Sequence, residues 1–244
     1  MKTSNKILVF IIITIISSLV FYDFKLKAEY KKGEFRSRFY KMKEVKLNDF
    51  NAINNKASNI FNLSIEQGDH FAIWVDEDLP KKLKFEVKNH ELSIEYHFEN
   101  DKYESHIGKV VIICPSLEKF VAGSSYSSIS KIKGSTNYNY YLSDEKTVIN
   151  NFNQKRLNLQ IDPLTMVVLE NNKLQFLNAV IGDKTEGKGT LTVESNNQIE
   201  QSDFKVNGHS TLNLSNPKIS TAKFNFSDSA DVSMSGNALK LLFK

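Results

Sequence analysis

The sequence predicts an all-β fold, a parallel β-solenoid (β-helix-like), preceded by an N-terminal transmembrane helix. Three observations carry this expectation. Apolar residues recur at a twenty-residue offset near the C-terminus. Phe204 and Val206 match Phe224 and Phe226, Leu212 and Leu214 match Val232 and Met234, and Ile219 matches Leu239. Within each pair the residues alternate apolar and polar, the period of a strand with one buried face. Finally, residues 7 to 22 form an apolar run broken only by Thr14, Ser17 and Ser18.

The N-terminal run comes first in the chain. Lys2 and Lys6 precede it, and its sixteen residues fall slightly short of a hydrocarbon core about 30 Å thick. Phe24 and Leu26 extend it, and Lys25 and Lys27 can snorkel past its end. A cleavable signal peptide is the competing reading. Small residues are missing at the usual cleavage positions, and Ala28 is the only tolerable site. Residues 1–28 are therefore read as an uncleaved anchor that meets the lipid bilayer through residues 7–22, and residues 29–46 as a basic juxtamembrane linker.

Charge separates this segment from the rest. Residues 1–46 carry 11 Lys and Arg against 4 Asp and Glu, or +7; the remainder carries 21 against 24, or −3, which together give the net +4. The body has no basic excess, so no nucleic-acid partner is expected. Positive charge is denser after the apolar run than before it. A positive-inside count would leave the C-terminal part in the cytoplasm.

Residues 47–115 read as an N-terminal β part. Phe61, Leu63 and Ile65 alternate, Gln67-Gly68-Asp69 turns, and Phe71, Ile73 and Val75 alternate again, as a hairpin or consecutive strands would. Leu83, Phe85 and Val87 lead through an Asn89-His90 turn to Leu92, Ile94 and Tyr96. The charged residues 97–106 read as loop, and Pro115 ends the strand of Val111 and Ile113. The single cysteine, Cys114, excludes an internal disulfide and reads as a buried structural thiol.

Residues 116–244 read as stacked repeats. Phe120 with Ala122 begins a layer, Ile129 begins the next strand, and Val148 and Phe152 keep an imperfect layer. Leu157 with Leu159, Met166 with Val168, and Leu174 form one unit; Ala179 with Ile181, Leu191 with Val193, and Ile199 form the next. Turn residues such as Asn171-Asn172, Asn196-Asn197, Asn216-Pro217 and Gly236-Asn237 follow the second pair of each unit. No unit of about twenty residues buries its apolar face alone, so the units stack into one core. An antiparallel sandwich also has short alternating strands, but it does not require the same grammar at the same offset. The end at Leu241-Leu242-Phe243-Lys244 shows no clear cap, and an open end would let a second copy pair there as a homo-oligomer.

Three runs carry a resemblance: Asn48-Asp49-Phe50-Asn51-Ala52-Ile53, Leu63-Ser64-Ile65-Glu66-Gln67-Gly68, and Cys114-Pro115-Ser116-Leu117-Glu118-Lys119-Phe120 followed by Gly123-Ser124. Together with Leu92-Ser93-Ile94 they resemble the head GIN domain family, which carries an auto-transporter adhesin label and has no established function. The resemblance covers about residues 47–244. It implies a β-helix-like fold at the bacterial cell envelope. The expected setting is a single-pass inner-membrane protein with its domain periplasmic or otherwise extracytoplasmic, in opposition to the charge count. Ser227-Asp228 and Ile161-Asp162 stand where the family's turns usually hold glycine.

The search for chemistry is mostly negative. The five histidines show no ligand spacing, there is no Gly-x-Ser-x-Gly elbow, and no phosphate-binding glycine loop occurs. No metal, cofactor or catalytic residue is expected. Asp162, Asp183 and Asp228, with His209, recur in the first turns of the units. Stacked carboxylates of that kind could serve glycoside hydrolysis, but aspartate is also a plain turn residue. Tyr138, Tyr140 and Tyr141 are the candidate ligand-binding residues, because tyrosine offers a flat face and a hydroxyl to a sugar or protein. Trp74 is a further aromatic that its strand would leave exposed or packed over the first layer. The expectation is a non-enzymatic, membrane-anchored envelope protein presenting its surface to a glycan or protein. An envelope polysaccharide lyase or hydrolase, and a self-associating structural protein, are the alternatives.

Overall fold

The computed structural model describes residues 3–33, 36–77, 79, 82–97, 108–124, 145–183 and 187–243. Contacts divide the chain into Met1–Met42 and Lys43–Lys244. The first unit is dominated by one helix, α1 (Thr3–Lys32), of 30 residues with no residue buried. It is long and apolar enough to cross a membrane. At 1.5 Å per residue it reaches about 45 Å, so the apolar stretch and its lysine flanks lie on one continuous rod.

The second unit is mostly β. Its early strands are β1 (Met42–Val45), β2 (Ala52–Asn55), β3 (Asn62–Gln67), β4 (Ala72–Asp76), β5 (Leu83–Lys88), β6 (Glu91–Tyr96), β7 (Lys109–Cys114) and β8 (Lys119–Ala122). The later ones are β9 (Thr147–Asn150), β10 (Asn153–Ile161), β11 (Met166–Glu170), β12 (Lys173–Ile181), β13 (Thr190–Val193), β14 (Gln198–Val206), β15 (Thr211–Ser215), β16 (Lys218–Phe226) and β17 (Asp231–Ser235). A 3₁₀ helix, Gly236–Phe243, follows.

The strands form two mixed sheets. One has nine strands in the order β1-β4-β7-β3-β9-β11-β13-β15-β17, the other eight in the order β16-β14-β12-β10-β8-β2-β6-β5. Pairing is parallel from β7 to β17 and from β6 to β16. It is antiparallel where β4 meets β7 and where β5 meets β6. The β5–β6 turn places Asn89 and His90 at φ 51° and 61°, the left-handed pair that a tight two-residue hairpin needs. Phe61-to-Ile65 and Phe71-to-Val75 do not form the hairpin that their short turn suggests, because β7 lies between β3 and β4. The early strands join the later ones directly: β2 pairs with β8, and β3 with β9.

The repeat is visible as register. Phe204 sits beside Phe224 and Val206 beside Phe226, and the first two rings stack at 5.8 Å and 15°. Leu212 and Leu214 sit beside Val232 and Met234. In an earlier unit the phase differs from expectation. Leu159 and Ile161, rather than Leu157 and Leu159, pair with Ala179 and Ile181. Val167 and Leu169, rather than Met166 and Val168, pair with Leu191 and Val193 and are fully buried. Val167-Val168-Leu169 is an unbroken apolar triplet, so alternation leaves its phase open, and burial of the flanking rungs decides it. Ile219 pairs with Ile199, whereas Leu239 lies in the 3₁₀ helix and is exposed. That helix packs against β16 and β17 and buries Ala238, so it covers part of the end that the sequence leaves uncapped.

The nine-residue strands bend. In β12, Leu174 and Leu177 both face inward, with Gln175 and Phe176 both exposed between them. β14 repeats this at Ile199 and Ser202. The two successive outward residues turn a corner, so each long strand supplies two inner faces to the core.

At the opposite turn, buried asparagines form a ladder. Asn172 donates its side-chain N–H to the Ile149 carbonyl and accepts from the Phe152 N–H, both at 3.0 Å. Asn197 repeats the arrangement one rung on: it donates to the Leu169 carbonyl at 2.7 Å and accepts from the Asn172 backbone N–H at 3.0 Å. Pro217 holds the next place, where a ladder side chain cannot form.

Candidate functional site

The corner of the long strands makes a groove. Directly after each asparagine turn, one residue per strand forms an in-register row: Asn153, Lys173, Gln198 and Lys218. The next position supplies the floor, with Leu174 and Ile199 buried and Ile219 half-buried. The position after that, at the outward bend, supplies Lys155, Gln175, Glu200 and Ser220. Lys240 and Asn237 of the 3₁₀ helix close one end. The cavity is about 770 Å³. Four lysines and one glutamate stand among its described lining residues.

Alternation forces this arrangement. A strand that buries Leu174 must expose Lys173 and Gln175 on either side, and parallel register repeats the choice on each rung. Lys240 bonds the Asn237 side chain at 3.2 Å. No ion pair of Lys155, Lys173 or Lys218 is found among the described residues. Just beyond the groove the Arg156 guanidinium lies 5.6 Å from the centre of the exposed Phe176 ring.

A second concavity of about 860 Å³ lies on the nine-stranded sheet. Its described charges are balanced: Asp76, Glu145 and Glu170 against Lys82, Lys109 and Lys146. It offers no clear preference for either sign of ligand.

The turn acids come together only in part. Asp162 is half-buried, and its carboxyl is pushed above the usual aspartate range by burial and by the charge of Asp183, against a hydrogen bond from Gln160 at 3.2 Å. Asp183 and Asp228 hold equivalent places two rungs apart, and Asp162 and His209 fall outside that row. The backbone N–H groups of Asp162, Gly182, Asn207 and Ser227 make the equivalent rung bonds, so Asp183, Gly208 and Asp228 are the next equivalent set and His209 lies one place further. Gly182, at φ 71°, admits no side chain, since a Cβ there would meet Ser210 Oγ at 2.0 Å.

The remaining sequence candidates contribute less. Tyr138, Tyr140 and Tyr141 lie outside the described residues, as do Ile129 and most of the loop expected over 97–106. Trp74 is half-buried in β4. His70 pairs with Asp69 at 2.5 Å, which lowers the Asp69 carboxyl, and His90 lies 3.2 Å from Asp49. No cluster that could hold a metal ion occurs among the described residues. Cys114 is buried, and desolvation pushes its thiol up to about 12.

Sequence reasoning missed the lysine groove. Its signal was present: a polar residue directly before each closing apolar one, as Lys173-Leu174, Gln198-Ile199 and Lys218-Ile219. The acidic turns drew attention to the opposite end of the same strands, where Lys188 pairs with Asp231 at 3.1 Å.

No family model matches the chain, and no curated protein does. Solved structures are similar at low identity. A "putative lipid binding protein" of Parabacteroides distasonis superposes with a TM-score of 0.47 and 15% identity, covering 79% of this chain and 80% of that one. A "putative adhesin" of Bacteroides fragilis gives 0.47 and 15%, over 80% and 93%. Another of Parabacteroides merdae gives 0.42 and 16%, over 78% and 80%. What those proteins are called describes them alone.

Proposed function

We propose that the chain is a non-enzymatic, membrane-anchored envelope protein, whose stacked strands form a β-solenoid presenting a surface that binds carbohydrate or protein. The observation that carries this is the groove at the strand corners. It is concave, built on in-register strands, and lined by amides and ammonium groups that can grip a ligand but are not arranged to cleave one. The exposed apolar helix α1 supports an anchor in the inner membrane. The long runs of parallel pairing support the solenoid reading, with the antiparallel β4 and β5 as additions at its N-terminal end.

Protease accessibility tests the setting. Antibody against residues 47–244 follows the domain in intact cells, in spheroplasts and after lysis. Digestion once the outer layer is opened is expected. Protection until the inner membrane is lysed would overturn the envelope reading and return the basic segment after α1 to the cytoplasmic side.

One observation favours an enzyme instead: Asp162 with its raised carboxyl beside Asp183. In that reading the pair would act on an envelope polysaccharide, and a bound oligomer recovered shortened rather than intact would favour it.

A further inference from the structure

We propose that the groove across β10, β12, β14 and β16 is a site for an extended acidic polysaccharide, one that carries carboxylates along its length. This rests on the carbohydrate-binding reading and names the ligand class for it.

Spacing is the first argument. Lys173 and Lys218 occupy the same place on strands two apart, with Gln198 between them. Neighbouring strands lie about 4.8 Å apart, so the two lysines leave the sheet about 10 Å apart on a line that crosses the strands. A chain molecule lying along that line meets positive charge at a fixed interval and an amide between. A small ligand would use only one rung.

Charge is the second. The chain beyond residue 46 is net −3, yet the described lining of this groove holds four lysines against Glu200. On the same sheet Lys119 is neutralised by Glu91, and just past β2 Lys56 is neutralised by Glu95. The groove lysines have no such neighbour among the described residues. Concentrated positive potential in a concavity of an acidic body attracts an anion to that place rather than to the whole surface.

Lining chemistry is the third. The described residues of the groove include no aromatic ring. Single-stranded nucleic acid is held by aromatic stacking platforms, and this groove has none. Lysine acts as a compact point charge suited to carboxylates, and Asn153, Gln175 and Gln198 offer both donors and acceptors to hydroxyl groups. Ammonium groups alternating with amides match a polymer of carboxylates and hydroxyls.

The test uses the full chain in non-ionic detergent micelles and fluorescent polygalacturonate as probe. Neutral dextran and duplex DNA serve as comparisons. Saturable polygalacturonate binding that weakens with salt is expected, with dextran and DNA much weaker. The double variant K173Q/K218Q is expected to lose at least about tenfold in affinity, while K173R/K218R retains it. E200Q is expected to tighten binding, because it removes the acid from the groove. K205Q/K223Q, on exposed positions further along β14 and β16, is expected to change nothing. Unchanged melting temperatures keep the comparison free of folding effects. Wild-type affinity in K173Q/K218Q, or equal binding of duplex DNA, would overturn the proposal. Equal binding of dextran would overturn it while leaving a carbohydrate-binding protein. Binding of no polymer at all would remove both the proposal and the carbohydrate half of the functional reading.

Discussion

Replacing Asn197 with alanine tests the physics that holds the rungs together. Asn197 is fully buried. Its side chain donates to the carbonyls of Leu169 at 2.7 Å and Glu194 at 2.8 Å, and accepts from the backbone and side-chain N–H groups of Asn172, each at 3.0 Å. The losses are unequal. The Leu169 and Glu194 carbonyls keep backbone partners, the N–H groups of Glu194 and Asn197. The Asn172 side chain keeps Ile149. The Asn172 backbone N–H loses the bond that satisfies it. An orphaned buried donor costs about 1–3 kcal/mol, and each further net bond about 0.5–1.5 kcal/mol. The expected destabilisation of N197A is therefore about 2.5–7.5 kcal/mol. For a domain of this size that is a fall in Tm of roughly 5–30 °C. The control is the adjacent Asn196, which makes a similar bond to the Asn171 N–H at 3.0 Å but at the surface. N196A is expected to cost under about 1 kcal/mol, because water replaces the lost acceptor. Thermal and urea unfolding of the full chain in detergent, followed by circular dichroism, gives both values. Equal costs for N197A and N196A would refute the buried ladder as the source of turn stability.

Three further outcomes follow from the geometry. The Asp162 carboxyl is raised, so the folded state binds more protons than the unfolded state just above pH 3.8, and stability falls as pH rises through that window. D162N is therefore expected to raise Tm at pH 7, with the gain vanishing below the unfolded value; a D162N variant that melts lower at pH 7 would contradict this. Cys114, buried and held at about 12, is expected to resist iodoacetamide in the folded chain and to react fully in urea, as mass spectrometry would show. Cysteines placed at Asn178 and Asp203, which are register partners on β12 and β14, are expected to form a disulfide under mild oxidant. Asn178 paired instead with Lys205 is expected not to, and the reverse result would mean a different register.

Much of the fold was legible where polar and apolar residues alternate strictly. Phe204, Val206, Leu212 and Leu214 have polar neighbours on both sides, so period and phase are both determined. Val167-Val168-Leu169 gives a strand without a phase, and its register came out shifted by one. The order of the early strands was not legible at all. Nothing local in β2 or β3 announces that the chain enters the stack there, adds β6 and β7 on one side, and then continues with β8 and β9 on the other. That crossing is set by which exposed edges remain to be paired, a property of the whole sheet. The groove was hidden for a related reason. Lys173, Gln198 and Lys218 differ in type and stand 25 and 20 residues apart, so only register shows them as one row. The aspartates were conspicuous in sequence, yet their turns differ in length, and Asp162 and Asp228 fall at different places on their rungs.

One sample tests whether the groove binds its ligand without turnover. The full chain in detergent is saturated with an oligomer of galacturonic acid, and the sugar is then recovered and sized by mass spectrometry alongside a count of new reducing and unsaturated ends. Saturable binding is expected, with the oligomer recovered at its original length. Shortened products that disappear when Asp162 and Asp183 are both replaced by asparagine would contradict it, and would make the turn carboxylates the working site of an enzyme.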